Sequence, residues 1–352
     1  MPEKKRLKFL FLYSRLPDYF YQCVKYLVEK AVPDSEAWVV CFKNDDNAPY
    51  ELQNQHAKVR ITGKKKLQEL HQWNPDVLYV SGWIDKDYKK IARSWKQKVP
   101  VVIGVDNLWQ NTWRQRLAAI VSGSYLRSMA THLWIPGYPQ YEFVRRLGFP
   151  ASHILFDMYC ADTTKFYKQT DGFRKRIIFA GRMVEYKRPD LLLKTFVSLV
   201  STDTGLQEWE LLMVGNGPMQ DKLKQQYAGE RNIQFLPFVQ PRDLVALYHD
   251  SCIFCMPSVH EHWGLVVQEA AAAGLALLLS DTCGAASAFL INGYNGAVFR
   301  SLDEAHFKKQ LSRLMHSGDS ALQDFGMRSR ELSKKINHAT WAANLMSVLH
   351  DS

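Results

Sequence analysis

The sequence predicts an α/β protein of two Rossmann-like, doubly wound lobes, on three observations. The 352-residue length suits two domains of about 150 residues each. Short runs of aliphatic and aromatic residues recur along the whole chain, as buried parallel strands do. Helix-length segments separate those runs, which is the connection that parallel strands need. A hydrophobic content of 47% and a charged content of 23% exclude a disordered or fibrous class.

In the first half LKFLFLY, AWVVCF, VLYVS, VVIGV and THLWI read as strands, with Tyr19–Ala31 and Trp113–Ser128 as crossover helices. A polar, glycine-containing junction, QTDGFRKR at 169–176, follows. The pattern then repeats with RIIFAG, WELLMVG, NIQFLPF, SCIFCMP and LALLLS, and Pro189–Val200 is one of the intervening helices. Ala339–Leu349 reads as a last helix. The expected domains are therefore 1–168, 169–335 and a C-terminal helix in 336–352 that packs back toward the N-terminal lobe. A ligand cleft is expected at the strand C-termini between the lobes.

Charge is divided unevenly. Residues 1–168 carry 26 Lys and Arg against 16 Asp and Glu, whereas residues 169–352 carry 19 of each. An excess confined to one lobe points to an anionic partner there, whether phospholipid head groups, a phosphate-bearing acceptor or nucleic acid, or else to a basic surface kept for solubility. From Tyr88 to Trp95 the apolar residues fall at helical spacing opposite Lys89, Lys90, Arg93 and Lys96, the pattern of an ordinary outer helix or of a membrane-surface helix. With KKRLK at the start and KKK at 64–66, it makes attachment to an anionic leaflet an expectation. No apolar run reaches the roughly 18 residues of a membrane span, and the run Phe9 to Tyr13 is too short for a signal-peptide core, so the expected location is cytoplasmic, with peripheral attachment to the membrane face included. Aromatic residues are plentiful, yet no basic, aromatic stacking module is legible, and no nucleic-acid partner is expected. The six cysteines are scattered, and Cys252 and Cys255 lie three apart in a strand, on opposite faces. They read as core residues.

Three loops that follow strands carry the chemistry. In AGRMVEYKRPD, Gly181 lets the chain turn and leaves Arg182 and Lys187 near the start of a helix, an arrangement suited to a diphosphate as well as to solvated surface charge. MVGNGPM is a second strand-turn-helix junction. The third, PSVHEHWGLVVQEAAAAG, places Glu261 in a loop, Gly264 at a close turn and Glu269 in the second turn of a crowded helix. A part-buried carboxylate there needs a partner, and ribose hydroxyls would supply one.

The residues from 177 to 300 resemble retaining glycosyltransferases of family 4, which have the two-lobed GT-B fold. The carriers of the resemblance are the Glu261-x7-Glu269 spacing, the GR with a following Lys, the GNGP turn and CGAASAFLINGYNGAVF, in the family's order. NPDVLYVSG and DMYCADTTKF are weaker matches in the first lobe. The resemblance implies that Gly181, Arg182 and Lys187 hold the donor diphosphate and that Glu269 holds the ribose. It implies further that Glu261 acts at the donor sugar, that backbone from Trp263 through Gly264 and Leu265 to Val266 holds sugar hydroxyls and phosphate, and that the base lies against Phe238 and Val239. No metal and no cofactor are expected, because fixed cations and N–H groups can stabilise the leaving diphosphate. The expected partners are a UDP-, GDP- or ADP-sugar donor and a glycan or lipid-linked acceptor, as in synthesis of cell-surface polysaccharide or glycoconjugates.

The chain departs from the family pattern in several places. YSRLPDYFYQC has no glycine where a Gly-rich loop is common, His262 stands where Gly is usual, and Ala288 where Glu is usual. After VVIGV, where a functional His is frequent, the chain has Asp106 and Asn107. Asp106 is thus a candidate for a first-lobe active-site role, or for a plain helix cap. His260 and His262 flank Glu261, but alternate loop positions diverge, so no metal pair is expected there. Two other functions fit the same residues: a nucleotide-sugar epimerase of the same fold, or a non-catalytic protein that binds nucleotide-sugar or nucleic acid.

Overall fold

The apolar runs become strands of two all-parallel sheets. Residues 6–42, 56–167 and 172–350 are described in the computed structural model, apart from the side chains of His71 and Ala118. In the first sheet β1 (Leu7–Tyr13), β2 (Ser35–Cys41), β3 (Val59–Gly63), β4 (Val77–Val80), β5 (Val101–Gly104), β6 (His132–Trp134) and β7 (Ile154–Leu155) pair in the order β3-β2-β1-β4-β5-β6-β7. Its crossovers include α1 (Asp18–Tyr26), α2 (Leu70–Trp73), α3 (Lys86–Trp95), α4 (Trp113–Arg127) and α5 (Tyr138–Arg146). The helix-like segment expected to reach Ala31 does so, its last turn, Leu27–Ala31, being π-helical.

The second sheet is built the same way from β8 (Arg176–Ala180), β9 (Glu210–Val214), β10 (Ile233–Leu236), β11 (Ile253–Met256), β12 (Ala276–Ser280) and β13 (Gly296–Phe299), ordered β10-β9-β8-β11-β12-β13. Its helices are α6 (Pro189–Thr202), α7 (Gln220–Gln226), α8 (Pro241–His249), α9 (Leu265–Ala273), α10 (Ala286–Phe289), α11 (Glu304–Met315) and α12 (Asp319–Ser333). A final helix, α13 (His338–Ser347), is capped by Asn337, whose side chain accepts from Ala339 N and Thr340 N. Side-chain caps of this kind satisfy N–H groups that a helix start leaves open.

The chain divides into one unit of Met1–Asp162 with Ile336–Ser352 and a second of Thr163–Lys335. The division falls ahead of the expected boundary at 168. The reason lies in Thr163–Phe166, a 3-10 turn whose Phe166 ring lies 5.9 Å from Tyr248 and whose Phe166 carbonyl is 2.9 Å from His249 Nε2. That stretch is committed to the second core. Residues 168–171, which include the first three residues of the expected junction, lie outside the described residues, as do Lys4 and Lys5 of KKRLK. In the first unit α13 buries Trp341 completely. Its ring lies 4.9 Å from Trp134 and 5.5 Å from Phe20, and its Nε1 donates to Met158 O at 3.0 Å.

Two sequence expectations change. Tyr88, Ile91, Ala92 and Trp95 of α3 are all buried in the first core, so α3 is an ordinary outer helix and offers no apolar face to a membrane. The basic KKK run is also engaged: Lys64 pairs with Asp85 and Asp87, and Lys66 with Glu69. Cys252 and Cys255 do not point to opposite faces but join one core, because the strand begins at Ile253 and alternation does not extend back to Cys252. All six cysteines are buried thiols, and burial pushes Cys252 up to about 12. Strands β3, β7 and β13 are additions; β3 buries only Val59 and β7 has two residues, too little apolar periodicity to read.

Candidate active site

In the second sheet the strand order reverses between β8 and β11. The connections from those two strands diverge, and a crevice opens at their C-terminal ends. The glycine turns of the first two loops interlock there. A Cβ on Gly215, which has φ of +130°, would lie 2.1 Å from the Gly181 carbonyl oxygen. Met183 N donates to Asn216 O at 2.9 Å, and Met219 N to Met183 O at 3.1 Å. Asn216 then reaches the third strand end, its Oδ1 accepting from Phe238 N at 2.9 Å. The backbone carrying Gly181, the GNGP turn and Phe238 is thereby one hydrogen-bonded platform, with half-buried Val239 beside it.

Across the reversal, Lys187 Nζ and Glu261 Oε2 form an ion pair at 2.9 Å, with 13% and 15% of their side chains exposed. Burial of that degree strengthens the attraction above that of a surface pair. Val259 N donates to Tyr186 O at 2.8 Å, so backbone as well as side chains joins the two loops. The Glu261 loop is held on its other side too: Gly284 N donates to Glu261 O at 3.0 Å and Ala285 N to Trp263 O at 2.9 Å. Trp263 is buried. Gly264, at φ +91°, turns the chain into α9, and no side chain caps the start of that helix. Leu265 and Val266 are its first residues and are half-buried, so their N–H groups stand at the positive end of the helix.

Glu269 is half-buried on α9. The buried Tyr248 phenol, pushed up mainly by burial, is raised further by the Glu269 charge, which sets the two near one another. Arg182 is exposed on its loop and is not drawn into the Lys187–Glu261 pair. The histidines depart from expectation. His260 Nε2 and His262 Nε2 lie 2.8 Å apart, because the loop between them is pinned through the bridge of Glu261 to Cys283. Burial first, then the neighbouring His262, lowers the His260 pKa against the opposing pull of Glu261. Among the described residues, three potential metal ligands converge at Cys23, Cys160 and His338 of the first unit, with ligand atoms within 4.8 Å.

In the first unit Asp106 follows β5. It does not cap a helix: Thr112 caps α4, its side chain accepting from Gln115 N. Asp106 Oδ2 instead accepts from Tyr159 Oη at 3.0 Å. Tyr159 meets Tyr19 edge to face at 5.8 Å, and the Tyr19 and Tyr13 hydroxyls are 3.1 Å apart. Burial pushes Tyr13 up to about 12. These phenols are a functional candidate that motif reading missed, although YSRLPDYFYQC and DMYCADTTKF contain them. Only the fold brings residues 13, 19, 106 and 159 together.

Residues 162–332 match the family model described as glycosyl transferases group 1. D-inositol 3-phosphate glycosyltransferase of Nocardia farcinica is 31% identical over 162 residues, 44% of this chain and 35% of that protein. The Saccharomonospora viridis protein of that name is 36% identical over 107 residues, 28% of this chain and 25% of its own. The matched stretches thus span about a third or less of these two relatives. Anabaena HepE, solved with UDP and glucose, superposes with a TM-score of 0.73 over 98% of this chain and 100% of its own at 16% identity. Sucrose-phosphate synthase from Thermosynechococcus elongatus gives a TM-score of 0.70 over 97% of each chain, also at 16% identity. Residues 162–332, which carry the interlocked strand-end loops, thus match the glycosyl transferases group 1 model, and the chain as a whole has the GT-B fold.

Proposed function

We propose that the chain is a retaining glycosyltransferase that moves a sugar from a UDP-sugar to a hydroxyl of a glycan or lipid-linked acceptor at an anionic membrane surface, in synthesis of cell-surface polysaccharide or glycoconjugate. The observation that carries the reading is the part-buried Lys187–Glu261 pair at the strand-order reversal of the second sheet. A buried lysine and carboxylate held by loops from different strands form a charge-neutral site ready to exchange partners. On donor binding, Lys187 turns to the diphosphate, with Arg182 adding charge at the exposed side and the α9 N–H groups receiving phosphate oxygens. Glu261, released from its pair, accepts from a hydroxyl of the donor sugar, and Glu269 from the ribose hydroxyls. Phe238 and Val239 lie on the platform where the base would rest.

In the reaction the bond from the anomeric carbon to the β-phosphate oxygen breaks, and the acceptor oxygen bonds to that carbon on the same face. The acceptor proton passes to the departing diphosphate. Lys187, Arg182 and the helix N–H groups carry the charge that develops there, and we propose transfer without a metal ion. Uridine is favoured by the UDP and UDP-glucose of the HepE structures. Asp106, with Tyr159 donating to it, is proposed to position the acceptor.

Thermal-shift titration with UDP, GDP and ADP and their sugar conjugates tests the donor half, because a ligand that binds only the folded state raises its stability. The expected result is a shift with UDP and UDP-sugars that Glu269→Ala reduces. A shift with GDP alone would replace the uridine assignment, and none with any nucleotide would overturn the donor site. UDP-sugar isomerised in the absence of acceptor would replace transfer by epimerisation.

A further inference from the structure

We propose that helix α4 is the surface by which the first unit seats on an anionic lipid bilayer. The proposal rests on the membrane reading above and gives it a location that α3, with its apolar face already covered, does not provide. Along α4 the side chains of Trp113, Leu117, Ile120 and Val121 are 66%, 59%, 75% and 72% exposed. Their spacing of four, seven and eight residues from the first puts all four on one face of a helix. The opposite face, with Ala119, Gly123 and Leu126, is buried in the unit's own core. A soluble monomer rarely leaves four large apolar side chains contiguous and outward without a partner for them.

Charge selects that partner. No Asp or Glu occurs from Asn107 to Tyr141, whereas α4 carries Arg114, Arg116 and Arg127. At 100° per residue Arg114 flanks the apolar stripe on one side and Arg116 on the other. The Arg114 guanidinium lies 5.3 Å from the Trp113 ring centroid, and Arg116 Nε donates to Asn111 Oδ1 at 2.9 Å, both at the start of the helix. An apolar stripe edged by arginines, with an indole at one end, suits the boundary between acyl chains and anionic head groups. A second copy would instead set arginines against arginines, with no acid on either helix to meet them. The excess of Lys and Arg over Asp and Glu in residues 1–168 favours the bilayer in the same sense.

The test is flotation of the full-length chain with vesicles of phosphatidylcholine, with and without phosphatidylglycerol, at low and high salt. Wild type is expected to float with phosphatidylglycerol vesicles and to be released by salt. Ile120→Ser with Val121→Ser should reduce partitioning roughly a hundredfold, since each apolar side chain withheld from the acyl boundary costs about tenfold. Arg114→Gln with Arg116→Gln should weaken binding to phosphatidylglycerol vesicles and reduce its salt dependence. Neither pair should alter the melting temperature or the UDP-induced shift, because all four side chains point outward. If the serine variant floats like wild type, α4 is not the docking surface, while the membrane reading stands. If wild type does not float at all, both fail. Wild type that does not float but dimerises, with the serine variant monomeric, would assign the stripe to self-association and overturn the proposal.

Discussion

The strand-end loops of the two units are built by opposite means. In the second unit the loops after β8, β9 and β11 are joined mainly through backbone: glycine turns too close for any Cβ, amide-to-carbonyl bonds from Met183, Met219, Val259 and Gly284, and one ion pair. In the first unit the corresponding region is filled by side chains, with Tyr13, Tyr19 and Tyr159 linked by hydroxyls and ring edges around Asp106. A backbone-built site serves ligands whose phosphates and hydroxyls recur, since N–H groups recognise them whatever residue carries them. A side-chain-built site can be rebuilt by substitution without disturbing the strands. Under the proposed function the difference teaches that holding a nucleotide diphosphate and choosing an acceptor would call for different materials.

Several measurements would break or sharpen that contrast. The largest effect is expected from Trp341→Ala, which empties a fully buried indole site beside Phe20 and Trp134. It should cost about 3–5 kcal/mol in denaturant unfolding. It should do so in the first unit while leaving nucleotide binding by the still-folded protein unchanged; loss of UDP binding under folding conditions would contradict the division of labour. Next, Glu261→Ala should lower kcat by about 10²–10³ with a smaller change in donor affinity, the range for removing one transition-state contact. An unchanged kcat would remove Glu261 from the chemistry.

Gly215→Ala should cost about 1–3 kcal/mol, because its Cβ meets the Gly181 carbonyl oxygen at 2.1 Å in a left-handed conformation. Nucleotide affinity should fall with stability as the platform shifts; full donor affinity in this variant would show that the glycine interlock is structural alone. Tyr159→Phe removes one hydroxyl from Asp106 and should cost about 0.5–1.5 kcal/mol, read as a raised acceptor KM with donor binding intact. The smallest effect concerns pH. His260 has a lowered pKa from burial and from His262, so the unfolded chain takes up this proton first as pH falls below about 6.5. The stability of neutral His260 is present above that pH and is lost as pH falls through the folded value. His260→Gln should therefore flatten the acid limb of the Tm profile below about pH 6.5.

The strands, their parallel class and the repeated βα pattern were legible from residue order because buried parallel strands are continuous apolar runs, a local property of LKFLFLY or RIIFAG. The second-unit loops were legible for a related reason: Gly181, Lys187, Glu261 and Gly264 sit at short, regular distances from those strands. What residue order could not disclose was which charges meet and which faces are covered. Lys187 and Glu261 are 2.9 Å apart although 74 positions apart in sequence, and the contact exists only because β8 and β11 are neighbours in the sheet. Helices α3 and α4 make the same point in reverse. The apolar residues of α3 read equally as a core-facing or a membrane-facing stripe and are buried, whereas α4 read as an ordinary crossover and turns four apolar side chains outward. Periodicity specifies that a helix has an apolar face; the sheet it packs on decides whether that face is spent on the core or left for a partner.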